Sequence, residues 1–358
     1  MKTRTLAFGL VLFLCGAFCQ VAFAATQTKK QDEALFVNVI DYLKSSEFGN
    51  VELERFTREQ LFSATPSPSV LKALNEKKVK VTGYKQGGLS PVLYALTYHS
   101  ENAVLTLINA GLELGGTDTN GNNALGLALL YKKEKAFELL LQKGAELNHV
   151  NNEGFSIAHL AALVRSESAL RSLTTKGADF NRPDKFGATP LHYVALDMDT
   201  THGIPRVFKM QPVINAKDNE GATPFYRAAD FARNAMPTAQ QAAIKPWVQK
   251  RSRNFNAARI IELTTEAGAN ASLKDKTGML PLHYAFCCNT PAKADIVEHS
   301  LALLVQCGAN NTTANKKGTT PLQAFKASVK KVGDPKGLYT KALAHFGAPA
   351  TQKQASLK

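Results

Sequence analysis

Apolar residues along this chain fall into short helical runs that come in pairs. In one pair Leu125 and Leu129 are followed by Phe137, Leu140 and Leu141, the three-or-four spacing of one helix face. Each pair opens after a Gly and closes near a second Gly. The opening glycines are Gly88, Gly121, Gly154 and Gly187, in steps of 33. Gly221, Gly278 and Gly318 follow at steps of 34, 57 and 40. The closing landmark keeps phase at Gly111, Gly144, Gly177, Gly268, Gly308 and Gly347. A fixed period of this length predicts a stack of helix pairs, in which no unit buries its apolar face alone.

The recurring residues have mechanical reasons. Thr189 and Thr223 stand where a hydroxyl caps the first helix, and Pro190 and Pro224 fit its first turn. Gly187 suits a tight turn, and Gly144, Gly177, Gly268 and Gly308 end second helices. Asp184, Gly187, Thr189, Pro190, Leu191 and His192 together resemble the ankyrin repeat motif. Asp218 to Pro224 and Asp275 to Gly278 match it well, and Asp118, Asn151 and Asn315 hold the Asp position elsewhere. The resemblance covers about residues 85–349 in seven copies. It implies an all-α repeat solenoid of helix-turn-helix units with short β-hairpin tips. It also implies a protein partner, and imidazoles at His159, His192 and His283 that bond backbone and cap groups within and between repeats.

Residues 25–84 carry Leu35, Val39, Ile40 and Leu43 on one helix face, and two further short helical runs. They read as an N-terminal helical cap covering the first repeat. The fourth copy lacks the closing Gly-Ala. Insertions fall near residues 231–256 and 289–299, and residues 350–358 form a polar tail. Part of Ala239 to Lys250 reads as helical, with Thr238 as its cap and Pro246 kinking or splitting it. An insertion between two helices should be removable, so deletion of residues 233–253 is expected to leave the array folded.

Residues 1–24 read differently. Lys2 and Arg4 precede an apolar run from Leu6 to Phe18, and Ala22-Phe23-Ala24 supplies the small residues of a cleavage site before Ala25. This is a signal peptide pattern of bacterial type, with an uncleaved anchor as the alternative. The expected location is the periplasm or the medium. No later stretch is apolar and long enough to span a bilayer.

Composition then narrows the chemistry. With 358 residues, 44% of them hydrophobic and 20% charged, the chain is neither disordered nor collagen-like. The net charge is +14, and losing Lys2 and Arg4 on cleavage would leave +12. Arg233, Lys245, Lys250, Arg251, Arg253 and Arg259, then Lys316, Lys317, Lys326, Lys330 and Lys331, make the C-terminal half basic. Cys287, Cys288 and Cys307 would be the mature thiols. No metal-binding, nucleophile-elbow or phosphate-loop motif is present, so no catalytic residue, metal ligand or cofactor is assigned.

The expected function is therefore non-enzymatic binding of another protein through the concave face, including inhibition or chaperoning of an exported protein. The alternative is binding of a polyanion or envelope surface by the basic half; nucleic acid is disfavoured. Reading the variable positions in phase assigns Tyr98, Leu130, Tyr131, Phe155, Val164, Phe186 and Phe231 to the contact surface. Trp247 and Arg251 add an aromatic, basic arm suited to an acidic partner.

Overall fold

The structure is a computed structural model. It describes residues 36–38, 40–41, 43–45, 49–196, 213–229, 238–245, 268–284, 304–305 and 308–332, with Gly337 and Ala344. The signal pattern, the three mature cysteines and the polar tail lie outside the described residues.

Two helices precede the array: α1 (Gly49–Leu61) and α2 (Pro68–Glu76). Three complete pairs follow, α3 (Pro91–Tyr98) with α4 (Glu101–Asn109), α5 (Ala124–Leu130) with α6 (Glu134–Gln142), and α7 (Ile157–Val164) with α8 (Glu167–Lys176). The first helices of the next four repeats are α9 (Pro190–Leu196), α10 (Pro224–Ala229), α12 (Pro281–Tyr284) and α13 (Pro321–Val332). Between α10 and α12 stands α11 (Thr238–Ile244).

The first helices pack in an unbroken series: α3 on α5, α5 on α7, α7 on α9, α9 on α10, α10 on α12 and α12 on α13. A second layer runs α2, α4, α6, α8. Thus α2 holds the place of a second helix ahead of the first repeat. Asn75 Nδ2 donates to Ala110 O at 2.8 Å, and Phe62 meets Tyr94 edge-on at 5.4 Å. Leu93, Leu125, Leu160 and Leu191 lie between successive first helices, each 3% exposed or less.

Each tip is built on one side chain. The Asp184 N–H donates to Ala188 O at 2.9 Å, and the Gly187 N–H returns to Asp184 O at 3.0 Å. Asp184 Oδ1 accepts the N–H groups of Phe186 and Ala188 at 2.8 and 2.9 Å. The same pattern recurs at Asn151, Asp218, Asp275 and Asn315. An oxygen two atoms beyond Cβ is what the tip requires, so Asp and Asn serve alike.

These tips are turns, not strands. Among the described residues no strand forms; isolated bridges join Gln86 to Leu89 and Val150 to Ser156. The outward carbonyl of these tips is taken by the next tip. Asn219 N donates to Phe186 O at 2.9 Å, Lys276 N to Glu220 O at 2.8 Å, and Lys316 N to Thr277 O at 3.3 Å. The tips therefore link sideways into a row, and none extends into a ladder of its own.

Candidate partner-binding surface

The motif histidines are tied into the stack and are not free for chemistry. The Thr189 N–H donates to His192 Nδ1 at 3.0 Å, so that nitrogen carries no proton. The proton is on Nε2, which donates across the repeat boundary to Ala222 O at 3.1 Å. His159 does the same between Ser156 N and Ala188 O, and His283 between Leu280 N and Thr319 O. Acceptance at Nδ1 requires neutral imidazole. Burial accordingly pulls His159 and His192 down to about 4, and pulls His283 down as well. The expected structural role holds for all three.

Three polar clusters were not visible as such in the sequence. Lys133 is 9% exposed, and its ammonium donates to Ala95 O at 2.9 Å, His99 O at 2.7 Å and Leu96 O. It thereby closes the C-terminal end of the preceding first helix, where unpaired carbonyls attract a cation. Burial holds its pKa below the usual lysine range. Arg227 and Asp218 form an ion pair buried to 1% on both sides. Its guanidinium Nε donates to Asp218 Oδ2 at 2.9 Å. Tyr193 donates its hydroxyl to Asp184 Oδ2 and accepts from Gln240 Nε2 at 2.9 Å. Burial raises Asp184 to about 6 and raises the Tyr193 phenol too.

Large side chains stand exposed at the C-terminal ends of two of the first helices. Tyr98 ends α3 and is 65% exposed; Tyr131 follows α5 at the same repeat position and is 42% exposed. Val164, in phase with both, is half-buried at the end of α7. The Tyr98 ring lies 4.7 Å from that of Tyr94, and the Lys133 ammonium stands 5.7 Å from the Tyr131 ring. Leu130 and Phe186 are half-buried against the core.

Phe155 is placed differently from expectation. It is 1% exposed and packs edge-on against Tyr193 at 5.7 Å. The residue after each tip glycine closes the turn with both its N–H and its C=O, which turns its side chain inward. Asn122, Ala188 and Ala222 at that position are equally buried. Phe155 is core and leaves the contact surface. Phe231, Trp247 and Arg251 lie outside the described residues. Among the described residues no group of three His, Cys, Asp or Glu side chains is placed to hold a metal ion. No helix there is long and apolar enough to cross a membrane.

The sequence matches no family model and no curated protein. Solved structures do resemble it. The ankyrin repeat domain of Bcl-3, described as a unique member of the IκB protein family, is 21% identical over 67% of this chain and 95% of its own, with a TM-score of 0.49. The human ASB11 ankyrin repeat domain is 20% identical over 73% of this chain and 100% of its own, with a TM-score of 0.53. The chain has the ankyrin repeat fold. Within that ankyrin stack, Tyr98 and Tyr131 are large apolar side chains at one repeat position that the core does not bury.

Proposed function

We propose that this chain is an exported, non-enzymatic ankyrin array that binds another protein, with Tyr98 and Tyr131 as anchors and Val164 beside them. The observation that carries the reading is the exposure of two tyrosines at one repeat position on adjacent helices, 65% and 42%. A solvated helix end has no use for such rings, whereas interfaces draw most of their energy from aromatic anchors. Lys133 fixes the helix end next to them, so the rings are presented by a held backbone. Export rests on Lys2, Arg4, the apolar run and Ala22-Phe23-Ala24. An exported binding module fits inhibition or chaperoning of another exported protein.

The test uses protein recovered from the periplasm, with a chain beginning at Ala25, as bait for envelope proteins. Tyr131→Ala should weaken the captured complex by about 2 kcal/mol with the melting temperature unchanged. Equal affinity for Tyr98→Ala, Tyr131→Ala and the unaltered chain would remove this surface from the interface.

A further inference from the structure

The tips of the fifth, sixth and seventh repeats carry a row of lysines. Lys217 and Lys274 each precede a tip Asp, Lys276 follows one, and Lys316 and Lys317 follow Asn315. The sideways bonds between tips place these residues along one edge. Two of the ammoniums are held along that edge without being neutralised. Lys217 Nζ donates to Lys274 O at 3.2 Å, and Lys274 Nζ donates to Ala314 O at 3.2 Å. Lys217, Lys276, Lys316 and Lys317 are exposed.

The carboxylates of the same tips are occupied elsewhere. Asp218 takes Arg227 and two N–H groups, and Asp275 takes the Tyr226 hydroxyl at 2.6 Å and two N–H groups. Glu220 is the exposed carboxylate on these three tips. Among the described residues none of the five lysines has an ion-pair partner, whereas Lys185 one tip earlier is paired with Glu153. The tips at Asp118 and Asn151 carry no lysine. Positive charge is therefore gathered on one end of the tip row.

We propose that this lysine edge docks an extended acidic segment of a protein, with carboxylates along one side. The inference rests on the reading of the array as a protein-binding scaffold and gives it a second contact. Several features select this ligand. The tip N–H groups are spent on the Asp and Asn side chains, so no backbone nest remains for a lone phosphate. The charges are lysines, point charges without the fork that reads phosphate or carboxylate bidentately. The row is one tip wide, which suits an extended chain better than the plane of a membrane. Stacked helices stand roughly 10 Å apart, and an extended chain of the polyproline II kind advances about 3.1 Å per residue with about three residues per turn, so an acidic residue at every third position keeps to one side and in step with the tips.

The experiment is fluorescence anisotropy with a labelled peptide carrying Glu at every third position. Oligothymidylate and phosphatidylglycerol vesicles serve as competing probes. Lys276→Glu with Lys316→Glu should weaken the peptide by about tenfold or more, with circular dichroism and melting unchanged, and added salt should weaken the unaltered protein similarly. If the charge reversal disturbs folding, Lys276→Gln with Lys316→Gln gives the same comparison with neutral side chains. Tyr98→Ala with Tyr131→Ala should leave peptide affinity intact, so loss of partner capture there and loss of peptide binding here are separate results. Peptide affinity indifferent to both lysine changes would overturn the proposal. So would tighter binding of oligothymidylate or of vesicles through these lysines.

Discussion

At the residue scale the tip position shows how one motif letter hides several chemistries. Asn151, Asp184, Asp218, Asp275 and Asn315 all present Oδ1 to the same two N–H groups. Their second side-chain atoms differ in what they meet. Asn151 Nδ2 donates to Asn122 at 2.9 Å, Asp184 accepts from Tyr193, Asp218 from Arg227, and Asp275 from Tyr226 of the preceding repeat. The tip requirement was legible from the in-phase spacing. The second partner was not, because Tyr193 and Arg227 share one position nine residues on yet differ in chemistry, while Asn151 and Asp275 find theirs in the preceding repeat. The two kinds of dependence should separate on mutation. Asp184→Asn keeps Oδ1, and the Tyr193 hydroxyl can accept from the new amide, so the cost should stay below about 1 kcal/mol. Asp218→Asn leaves the Arg227 charge buried and uncompensated, where Nη1 already lacks a partner, and should cost about 3–5 kcal/mol. Urea denaturation of both variants decides this; equal midpoint shifts would mean the buried pair adds nothing beyond the tip geometry.

At the element scale the sideways bonding of tips explains a constraint that backbone conformation alone does not. Gly187 and Gly318 open the fourth and the seventh units, with φ of 73° and 75°. A side chain at either is strained by that positive φ. Only at Gly187 would a Cβ also meet the next tip, 2.8 Å from Asn219 N, whereas Gly318 has nothing within 4 Å. Gly318→Ala should therefore cost about 1 kcal/mol, the backbone penalty alone. Gly187→Ala should cost a further 1–3 kcal/mol or so, because backbone must shift and the Asn219 to Phe186 bond with it. Thermal melts of the pair test this, and equal losses would show that the tips give way freely. The helices themselves were legible, since Thr before Pro marked first-helix starts and Gly marked second-helix ends. Thr223 accepts the expected N–H, from Tyr226 at 3.2 Å, while the Thr189 hydroxyl meets His192 Nδ1 at 3.0 Å; Ser100, Asn123 and Ser166 cap other helices, at 3.3, 3.0 and 3.2 Å. What misled was the inward turn after each tip glycine, which made Phe155 read as surface.

At the scale of the whole molecule, the stack was readable because its period is long and in phase, while the attachment of its insertion was not. An inserted segment has no repeat partner to align with, so its sequence says that it is helical but not what it touches. A helix forms there as expected, with Thr238 inside it and not its cap, and it stops at Ile244, short of Pro246, whose ring disfavours helix in the residue before it. Gln240 and Ile244, four apart on one face, are 2% and 1% exposed. Gln240 reaches the Tyr193 hydroxyl of the fourth repeat, and Ile244 joins the common core. Seen this way, α11 is packed into the array and is more than a loop held out from it. Removing residues 233–253 should then uncover Tyr193 and lower the melting temperature, in place of the neutral deletion that an appended arm would give. Point changes sharpen the expectation. Ile244→Ala should cost about 2–4 kcal/mol as a buried cavity. Gln240→Ala should cost about 1 kcal/mol, since Tyr193 keeps Asp184. Both are measured by urea denaturation followed through helical signal. A midpoint unmoved by Ile244→Ala, together with a deletion variant as stable as the full chain, would return the insertion to the status of a peripheral arm.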